Sequence, residues 1–277
     1  MTVDEIAAPT PVHYENPEIP RDEVRPGQVV DLRFGHGPLP ATNKKIFYFD
    51  IDNCLYPRLT RIHDLMQEKI HTYFKKLLDL DDKCAHELHM NYYKKYGLAL
   101  EGLVRNHDVD ALAYNSAVDD AIELKGVLHY NEELRNMLLD MKQHFDYFWL
   151  VTNAYRNHAL RVISFLGLGD IFDGLTFCDY SQNPIICKPM PQYFLSFLKT
   201  THVDVDNASV MAHQWFVDDL EINVKAAAKI GFGHVVHYVE DPATYARLQK
   251  EHEYTGENRI ILIDNILDLG QLVSKVA

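Results

Sequence analysis

The sequence of 277 residues has no apolar run that approaches the roughly 20 residues needed to cross a bilayer. Its first 20 residues also lack a basic region followed by an apolar stretch, which is the pattern of a secretory signal. Only four cysteines are present, and no two of them form a CxxC pair, so they fit a reduced compartment. We therefore expect a cytoplasmic protein, or a cytoplasmic and nuclear one, without membrane insertion.

Positive charge is also scarce. The chain has 27 Lys and Arg against 40 Asp and Glu, a formal net charge of −13. This balance argues against binding of DNA or RNA polymers and of acidic membrane surfaces. A single local site can still be positive on an acidic protein, so a small anionic substrate is not excluded.

The order of predicted elements indicates an α/β fold. Residues 1–43, with repeated prolines and no sustained period, predict a flexible N-terminal tail, with a docked strand or helix as the alternative. Strand-like runs alternate with helical ones at 45–49, 147–152, 175–178, 215–217, 234–239 and 260–263. This alternation predicts a parallel sheet covered by helices on both faces. Residues 58–131 have helical periodicity instead and predict an inserted helical cap, which leaves 44–57 and 132–277 as the core.

Polar side chains follow the predicted strands at the points where the strands end. In open α/β sheets, ligands bind beyond the carboxyl ends of the strands, so these side chains are expected to converge. They are Asp50 and Asp52 after the first core strand, Thr152 and Asn153 after the second, Lys188 in a loop after the third, and Asp218 and Asp219 after the fourth.

Such a set predicts phosphate chemistry with a metal ion. Four crowded carboxylates repel each other unless they share protons or hold a divalent cation, and ligation by oxygen alone favours Mg²⁺. A lysine, a hydroxyl and an amide beside that ion suit a phosphate. Our hypothesis is that Asp50 attacks phosphorus to form an aspartyl-phosphate, while Asp52 protonates the leaving oxygen and later deprotonates water.

Four segments of the chain, FDIDNCLY, VTN, CKP and FVDDLEIN, resemble the four ordered motifs of the haloacid dehalogenase-like superfamily, from about residue 45 to about residue 240. The segments TRIHDLMQEKI, NYYKKYGLAL, TNAYRNHALR and LGLGDIFDGLTFCDY are similar to the pyrimidine 5′-nucleotidase group of fungal and plant-type phosphatases. The resemblance implies a Rossmann-like core with a helical cap. It also implies a Mg²⁺-dependent phosphomonoesterase of nucleoside 5′-monophosphates, with UMP or CMP preferred.

The resemblance also implies roles for the acidic residues. Asp50 is expected to be the nucleophile and a Mg²⁺ ligand, and Asp52 the general acid and base with its main-chain carbonyl on the metal. Asp218 is expected to be the third protein ligand. Asp219 is expected to support the water shell of the metal, and Asn223 to hold the loop.

The remaining implied roles concern the phosphate. Thr152 and Asn153 are expected to bind the phosphoryl group, and Lys188 to neutralise it. The chain departs from the family pattern at Leu220, where serine is common, so hydrogen bonding near Asp219 or Lys188 is expected to differ.

Several alternatives stay open. The substrate can be another small phosphate ester, such as lysophosphatidate or a sugar phosphate, and a phosphomutase would use the same acid and base. A non-catalytic binding or regulatory protein of this fold is the third alternative. The oligomeric state is not readable from the sequence.

Polar residues of the cap are candidates for contacts to a base or a ribose. They are Arg61, Tyr93, Tyr96, Arg105 and His107. Two histidine pairs, His86 with His89 and His234 with His237, lack a third ligand at a useful spacing. We therefore do not predict a metal site at either pair.

Overall fold

The computed structural model of the protein describes residues 11–35, 39, 41–255 and 260–276. Within these residues, eight strands form two sheets. The strands are β1 (Val12–Glu15), β2 (Val29–Leu32), β3 (Ile46–Phe49), β4 (Tyr147–Thr152), β5 (Gly174–Phe177), β6 (Trp215–Asp218), β7 (His234–Tyr238) and β8 (Ile261–Ile263). Strands β3 to β8 form one parallel sheet in the order β5-β4-β3-β6-β7-β8. The predicted α/β class is confirmed.

The strand order reverses direction at β3. From β3 the chain adds β4 and β5 on one side and then β6, β7 and β8 on the other. A crevice opens at such a reversal, beyond the carboxyl ends of the two strands that diverge from it. Here those strands are β3 and β6, with Phe49 opposite Val217 in the register. The acids that follow both strands therefore meet at this point.

Helices cover both faces of the sheet and also form the cap inserted after β3. In chain order they are α1 (Ile62–Leu78), α2 (Asp82–Tyr96), α3 (Ala99–Asn106), α4 (Ala111–Ala117), α5 (Glu132–Lys142), α6 (Arg156–Leu166), α7 (Pro191–Thr200), α8 (Ala208–Met211), α9 (Glu221–Ile230), α10 (Pro242–Leu248) and α11 (Asp268–Val276). Every residue of β3 is buried, as expected for a central strand covered on both faces. None of the described helices has the combination of length and apolar character that a membrane crossing requires.

The insertion between β3 and β4 carries α1 to α4. These helices pack around a separate apolar cluster that includes Phe74, Leu100 and Tyr114. Cys178 and Cys187, from the segment after β5, belong to the same cluster, so the cap shares apolar contacts with the core. Residues 118–131, which the prediction also assigned to the cap, form turns and irregular segments with one isolated bridge between Lys125 and Leu128.

The N-terminal segment is docked on the core. Strands β1 and β2 form an antiparallel hairpin, and Leu32 on β2 is buried in the main apolar cluster. The Ser164 hydroxyl donates to the Gln28 carbonyl at 2.6 Å, and the Asp31 N–H donates to the Gly169 carbonyl at 3.0 Å. The predicted flexible tail is therefore wrong for residues 12–34, where the alternative of a docked strand forms; residues 1–10 lie outside the described residues.

The docked hairpin predicts a stability effect. Leu32→Ala should lower the free energy of unfolding by about 2–5 kcal/mol, because a fully buried leucine leaves a cavity when it is truncated. Urea denaturation followed by circular dichroism measures this loss. The control is Val24→Ala, an exposed position in the same segment, which should change stability by less than about 0.5 kcal/mol. Equal, small effects of both substitutions would mean that the segment is not docked in solution.

Candidate active site

Asp50 and Asp218 lie side by side at the crevice. Asp218 is the last residue of β6, and Asp50 directly follows β3. The Asp50 N–H donates to the Val217 carbonyl at 3.0 Å, which continues the sheet pairing to the strand ends. Both side chains are buried, with 6% and 0% of their residue surface exposed. Their closeness follows from the sheet register.

A buried lysine links the two carboxylates. Lys188 Nζ donates to Asp50 Oδ1 at 2.6 Å, to Asp218 Oδ2 at 2.7 Å and to the Val151 carbonyl at 3.0 Å. All three hydrogens of the ammonium are thus used, which a lysine with 1% exposure requires. The sequence predicted this residue for the site, and the structure brings it there.

Asn153 fixes the backbone of Lys188. Its Nδ2 donates to the Lys188 carbonyl at 2.9 Å, and its Oδ1 accepts from the Lys188 N–H at 2.8 Å. The side-chain amide predicted to bind phosphate is therefore committed to positioning the lysine. Thr152, its predicted companion, is buried and its hydroxyl accepts from the Ala154 N–H at 3.0 Å.

Three carboxylates face one another at the crevice. One oxygen from each of Asp50, Asp218 and Asp219 lies within 4.8 Å of the others. Burial, and then the negative charge of Asp218, raises the pKa of both Asp50 and Asp219, and Lys188 only partly offsets this. A donor set made only of oxygens, with one ammonium against three carboxylates, fits a hard divalent cation such as Mg²⁺. Asp219, predicted as a support, therefore belongs to the potential ligand set itself.

The loop after β6 holds Asp218 in place. Its Oδ1 accepts from the Leu220 N–H at 2.9 Å and from Asn223 Nδ2 at 2.9 Å, and Asn223 also lies 3.1 Å from Oδ2. Asn223, for which the resemblance implies a loop-holding role, therefore contacts both oxygens of the Asp218 carboxylate. Leu220 contributes its backbone N–H here, and its side chain borders the adjacent cavity.

Asp52 has a separate environment. Its Oδ1 accepts from Tyr56 Oη at 2.6 Å and from His158 Nε2 at 2.7 Å. Burial by itself raises the pKa of Asp52, but the charge and hydrogen bond of His158, with the Tyr56 hydrogen bond and the Lys188 charge, leave that pKa below its usual value. Burial lowers the pKa of His158, but the charge and hydrogen bond of Asp52, together with the charge of Asp119, raise it above its usual value. The pKa of Asp52 is therefore lowered, whereas that of Asp50, two residues earlier, is raised.

The sequence reasoning missed His158 and Tyr56. Tyr56 is four residues after Asp52 in DIDNCLY, whereas His158 lies 106 positions away on α6, within the segment TNAYRNHALR. That segment supported the family resemblance, but nothing in it signalled a partner for Asp52. The contact arises only because the fold brings the first turn of α6 to the residues that follow β3.

A cavity between the cap and the strand ends opens onto these groups. From the core it is lined by Asp50, Asp52, Asp219 and Lys188 with Thr152 and Asn153, and from the cap by apolar and polar side chains. The cap side includes His63, Met66, Gln67, Ile70, His89, Met90, Tyr93, Leu98 and Tyr114. The arrangement suits a small ligand whose anionic end would lie at the strand ends, beside Lys188.

Of the five cap residues predicted as substrate contacts, Tyr93 is the one that lines this cavity within the described chain. Arg61 lies on an outer groove and pairs with Asp64 at 2.9 Å. Arg105 lies over the Tyr96 ring, 5.4 Å from its centroid. His107 accepts or donates a 3.1 Å hydrogen bond with Tyr92. These four side chains face away from the cavity or pack within the cap.

Comparisons with known proteins agree with this geometry. The sequence profile of the haloacid dehalogenase-like hydrolases matches residues 44–231. Phosphate metabolism protein 8 of Saccharomyces cerevisiae is 37% identical over 240 residues, which cover 84% of this chain and 73% of the yeast protein.

Two solved structures are similar in fold. CbbY from Rhodobacter sphaeroides, in complex with phosphate, has a TM-score of 0.54 at 15% identity, covering 82% of this chain and 96% of that chain. A HAD phosphatase from Thermococcus onnurineus has a TM-score of 0.50 at 15% identity, covering 83% of this chain and 97% of that chain. At these identities the likeness concerns the fold alone.

The buried lysine predicts a strong and pH-dependent stability effect. Lys188→Met should lower the free energy of unfolding by about 3–5 kcal/mol at pH 7.5, because it leaves buried carboxylates uncompensated. Their raised pKa means that the loss shrinks as the pH falls towards the ordinary carboxyl range, where the unfolded chain is protonated too. Urea denaturation at pH 7.5 and pH 5 measures both quantities.

The control for this prediction is Lys199→Met on the exposed face of α7. It should change stability by less than about 0.5 kcal/mol at either pH. A Lys188→Met effect that is as small as the control, or that does not depend on pH, would contradict the burial of this charge cluster.

Proposed function

The chain belongs to the haloacid dehalogenase-like hydrolases, and from this premise we propose that it is a Mg²⁺-dependent phosphomonoesterase acting on nucleoside 5′-monophosphates, with pyrimidines preferred. The observation that supports this most is the buried cluster in which Lys188 bridges Asp50 and Asp218 below the cavity between cap and core. The cluster provides a nucleophile, positive charge and a place for a metal at one point.

The proposed reaction has two steps. In the first, a carboxylate oxygen of Asp50 attacks phosphorus, the P–O bond to the leaving group breaks, and Asp52 supplies the proton that makes the leaving group an alcohol. In the second, water attacks phosphorus and gives a proton to Asp52, and the bond between phosphorus and the Asp50 oxygen breaks. Inorganic phosphate leaves, and both aspartates return to their starting states.

His158 positions Asp52 for these transfers. The pair holds one proton between them, and its 2.7 Å hydrogen bond allows that proton to move onto the carboxyl group. In the protein by itself the pKa of Asp52 is low, whereas a general acid must be protonated. The negative charge of a bound phosphate ester raises that pKa, so substrate binding favours the acid form.

Mg²⁺ would be held by Asp50, Asp218 and Asp219, with the Asp52 carbonyl as the further ligand that the family resemblance implies. When bound, it would neutralise the carboxylates and the phosphate oxygens. Lys188 would remain beside the nucleophile and attract the incoming phosphoryl group. This assignment accounts for the excess of buried negative charge at the strand ends.

The cap side of the cavity supports a small organic group with one flat apolar face. Met66, Ile70 and Met90 supply apolar contacts, while Tyr93 supplies an aromatic ring and Gln67 an amide. A pyrimidine base can stack on Tyr93 and exchange hydrogen bonds with Gln67. The same apolar lining also suits the lipid portion of lysophosphatidate, which is the alternative substrate that a specific observation favours.

The two aspartates should have separable kinetic roles. Asp50→Asn should abolish phosphate release, because the bond to phosphorus no longer forms. Asp52→Asn should lower kcat for UMP by about 10²–10⁴-fold, the usual contribution of general acid–base catalysis. With p-nitrophenyl phosphate, whose leaving group needs no proton, Asp52→Asn should give a burst of nitrophenol followed by slow turnover. Stopped-flow absorbance and phosphate release measure these outcomes.

Asp140→Asn, an exposed position on α5, is the matched control and should retain wild-type turnover. Folding of each variant is checked by circular dichroism. Activity that survives Asp50→Asn would exclude the covalent mechanism. A burst-free Asp52→Asn enzyme with unchanged turnover would remove the role assigned to Asp52.

A substrate panel tests the specificity. With Mg²⁺ present, UMP and CMP should have kcat/KM values above those of AMP, GMP, sugar phosphates and lysophosphatidate, and EDTA should abolish release from all of them. Malachite-green phosphate assays measure the rates. A higher kcat/KM for lysophosphatidate would select the alternative, and transfer of phosphate to a second hydroxyl would indicate a mutase.

Two cap tyrosines provide a matched pair for the same panel. Tyr93→Ala should raise KM for the preferred substrate about 10-fold, which corresponds to about 1.4 kcal/mol of lost binding. Tyr96→Ala, on the same helix but outside the cavity lining, should leave KM unchanged. Equal effects would mean that substrate does not contact the cavity face of α2.

A further inference from the structure

Three histidines of the cap come together outside the candidate active site. His71 lies on α1, and His86 and His89 lie one turn apart on α2. One ring nitrogen from each lies within 4.8 Å of the others. The sequence reasoning rejected a metal at His86 and His89 because a third ligand was lacking. The packing of α1 against α2 places His71 beside this pair, which the spacing of residues in the sequence could not reveal.

Two of the imidazoles present unsatisfied nitrogens. His71 Nδ1 and His89 Nε2 are both buried, and neither has a hydrogen-bond partner in the described part of the chain. His89 has 2% of its surface exposed. A buried polar atom without a hydrogen-bond partner destabilises the fold, so its presence calls for an explanation such as a bound ion. The rings contact each other edge to face or tilted, but such contacts leave these nitrogen atoms unpaired.

The far side of His71 has the partner expected behind a metal ligand. His71 Nε2 lies 3.3 Å from Asp82 Oδ1, and the same carboxylate oxygen accepts from Lys75 Nζ at 2.7 Å. Because a carboxylate only accepts, it favours the tautomer with the proton on Nε2. This leaves the Nδ1 lone pair available. A carboxylate behind a ligating histidine in this way orients the ring and raises its basicity.

We propose that His71, His86 and His89 form a binding site for a late first-row transition-metal ion, with Zn²⁺ as the ion that fits. Imidazole nitrogen is a preferred ligand of Zn²⁺, whereas Mg²⁺ prefers oxygen. Three histidines and a water complete a tetrahedral shell. The site is thus chemically distinct from the carboxylate cluster at the strand ends.

The geometry needs only a small adjustment. At Zn–N bonds of about 2.0–2.1 Å, nitrogens of a tetrahedral shell lie ~3.3 Å apart. His86 is exposed and can rotate towards the two less exposed rings. A bound ion would join α1 to α2 across an outer groove of the cap. His89 lines both this groove and the active-site cavity, so the ion would lie behind a wall of that cavity.

Calorimetric titration of the full, chelator-treated chain with Zn²⁺ tests the proposal. Millimolar Mg²⁺ is kept present, so that the carboxylate cluster does not contribute. Wild-type protein should bind one Zn²⁺ per chain, and His86→Ala should weaken binding more than about 100-fold, the upper effect of removing a supporting residue behind a ligand. Asp82→Asn should weaken binding about 10-fold by removing the carboxylate behind His71.

Two further variants make the result specific. His144→Ala, an exposed histidine of the core, should bind Zn²⁺ as wild type does. Asp218→Asn should keep the Zn²⁺ site, which separates this proposal from that of the proposed phosphatase. With Co²⁺ as the probe, wild type should show the visible absorption of a four-coordinate ion, and His86→Ala should lose it.

Several outcomes would overturn the site. They are the absence of Zn²⁺ binding by wild type in Mg²⁺, unchanged binding by His86→Ala, and loss of binding in Asp218→Asn with unchanged thermal stability. Because His86 is exposed, its substitution should leave the metal-free melting temperature unchanged. A loss of binding in that variant therefore reports the ligand rather than the fold.

Discussion

The ammonium of Lys188, buried between Asp50 and Asp218, is the interaction on which the rest of the site depends. The parallel register of β3 and β6 forces these two acids together at the switch point of the sheet. Without a positive group between them they would repel each other in a medium where charges are poorly screened. One ammonium only partly compensates three carboxylates. The residual negative charge is what makes the site suitable for a divalent cation and, with it, for a phosphate.

The surroundings of Asp50 and Asp52 give these two aspartates different properties. Asp50 and Asp52 are separated by one residue, yet they have opposite pKa shifts. Asp50 faces other carboxylates at the sheet edge. Asp52 faces Tyr56 and His158, which donate to a single one of its oxygens. The different surroundings, more than the residue type, support the proposed roles, in which Asp50 attacks phosphorus and Asp52 transfers protons.

The cap extends this chemistry through two surfaces of the same helix pair. The inner face of α1 and α2 closes the cavity with methionines, Tyr93 and Gln67. The outer groove gathers His71, His86 and His89. His89 lines both the outer groove and the cavity, so an ion bound in the groove would be one side chain away from the cavity. The fold thus places a nitrogen donor set and an oxygen donor set on opposite sides of one helix layer.

Local sequence determined the six strands of the parallel sheet, their terminal acids and the α/β class, because short apolar runs and the polar residues that end them need no distant partner to be recognised. It also determined the ordered motifs that contain Lys188 and Asn223. Tertiary structure alone decided the docking of the N-terminal hairpin, the pairing of His158 with Asp52, and the position of His71 beside His86 and His89. Each of these depends on elements that are distant in the chain or on the direction in which a helix face points. Asp52 and His158 are 106 positions apart, so no periodic pattern in the sequence indicates their hydrogen bond. The two residues meet only when the fold brings their elements together.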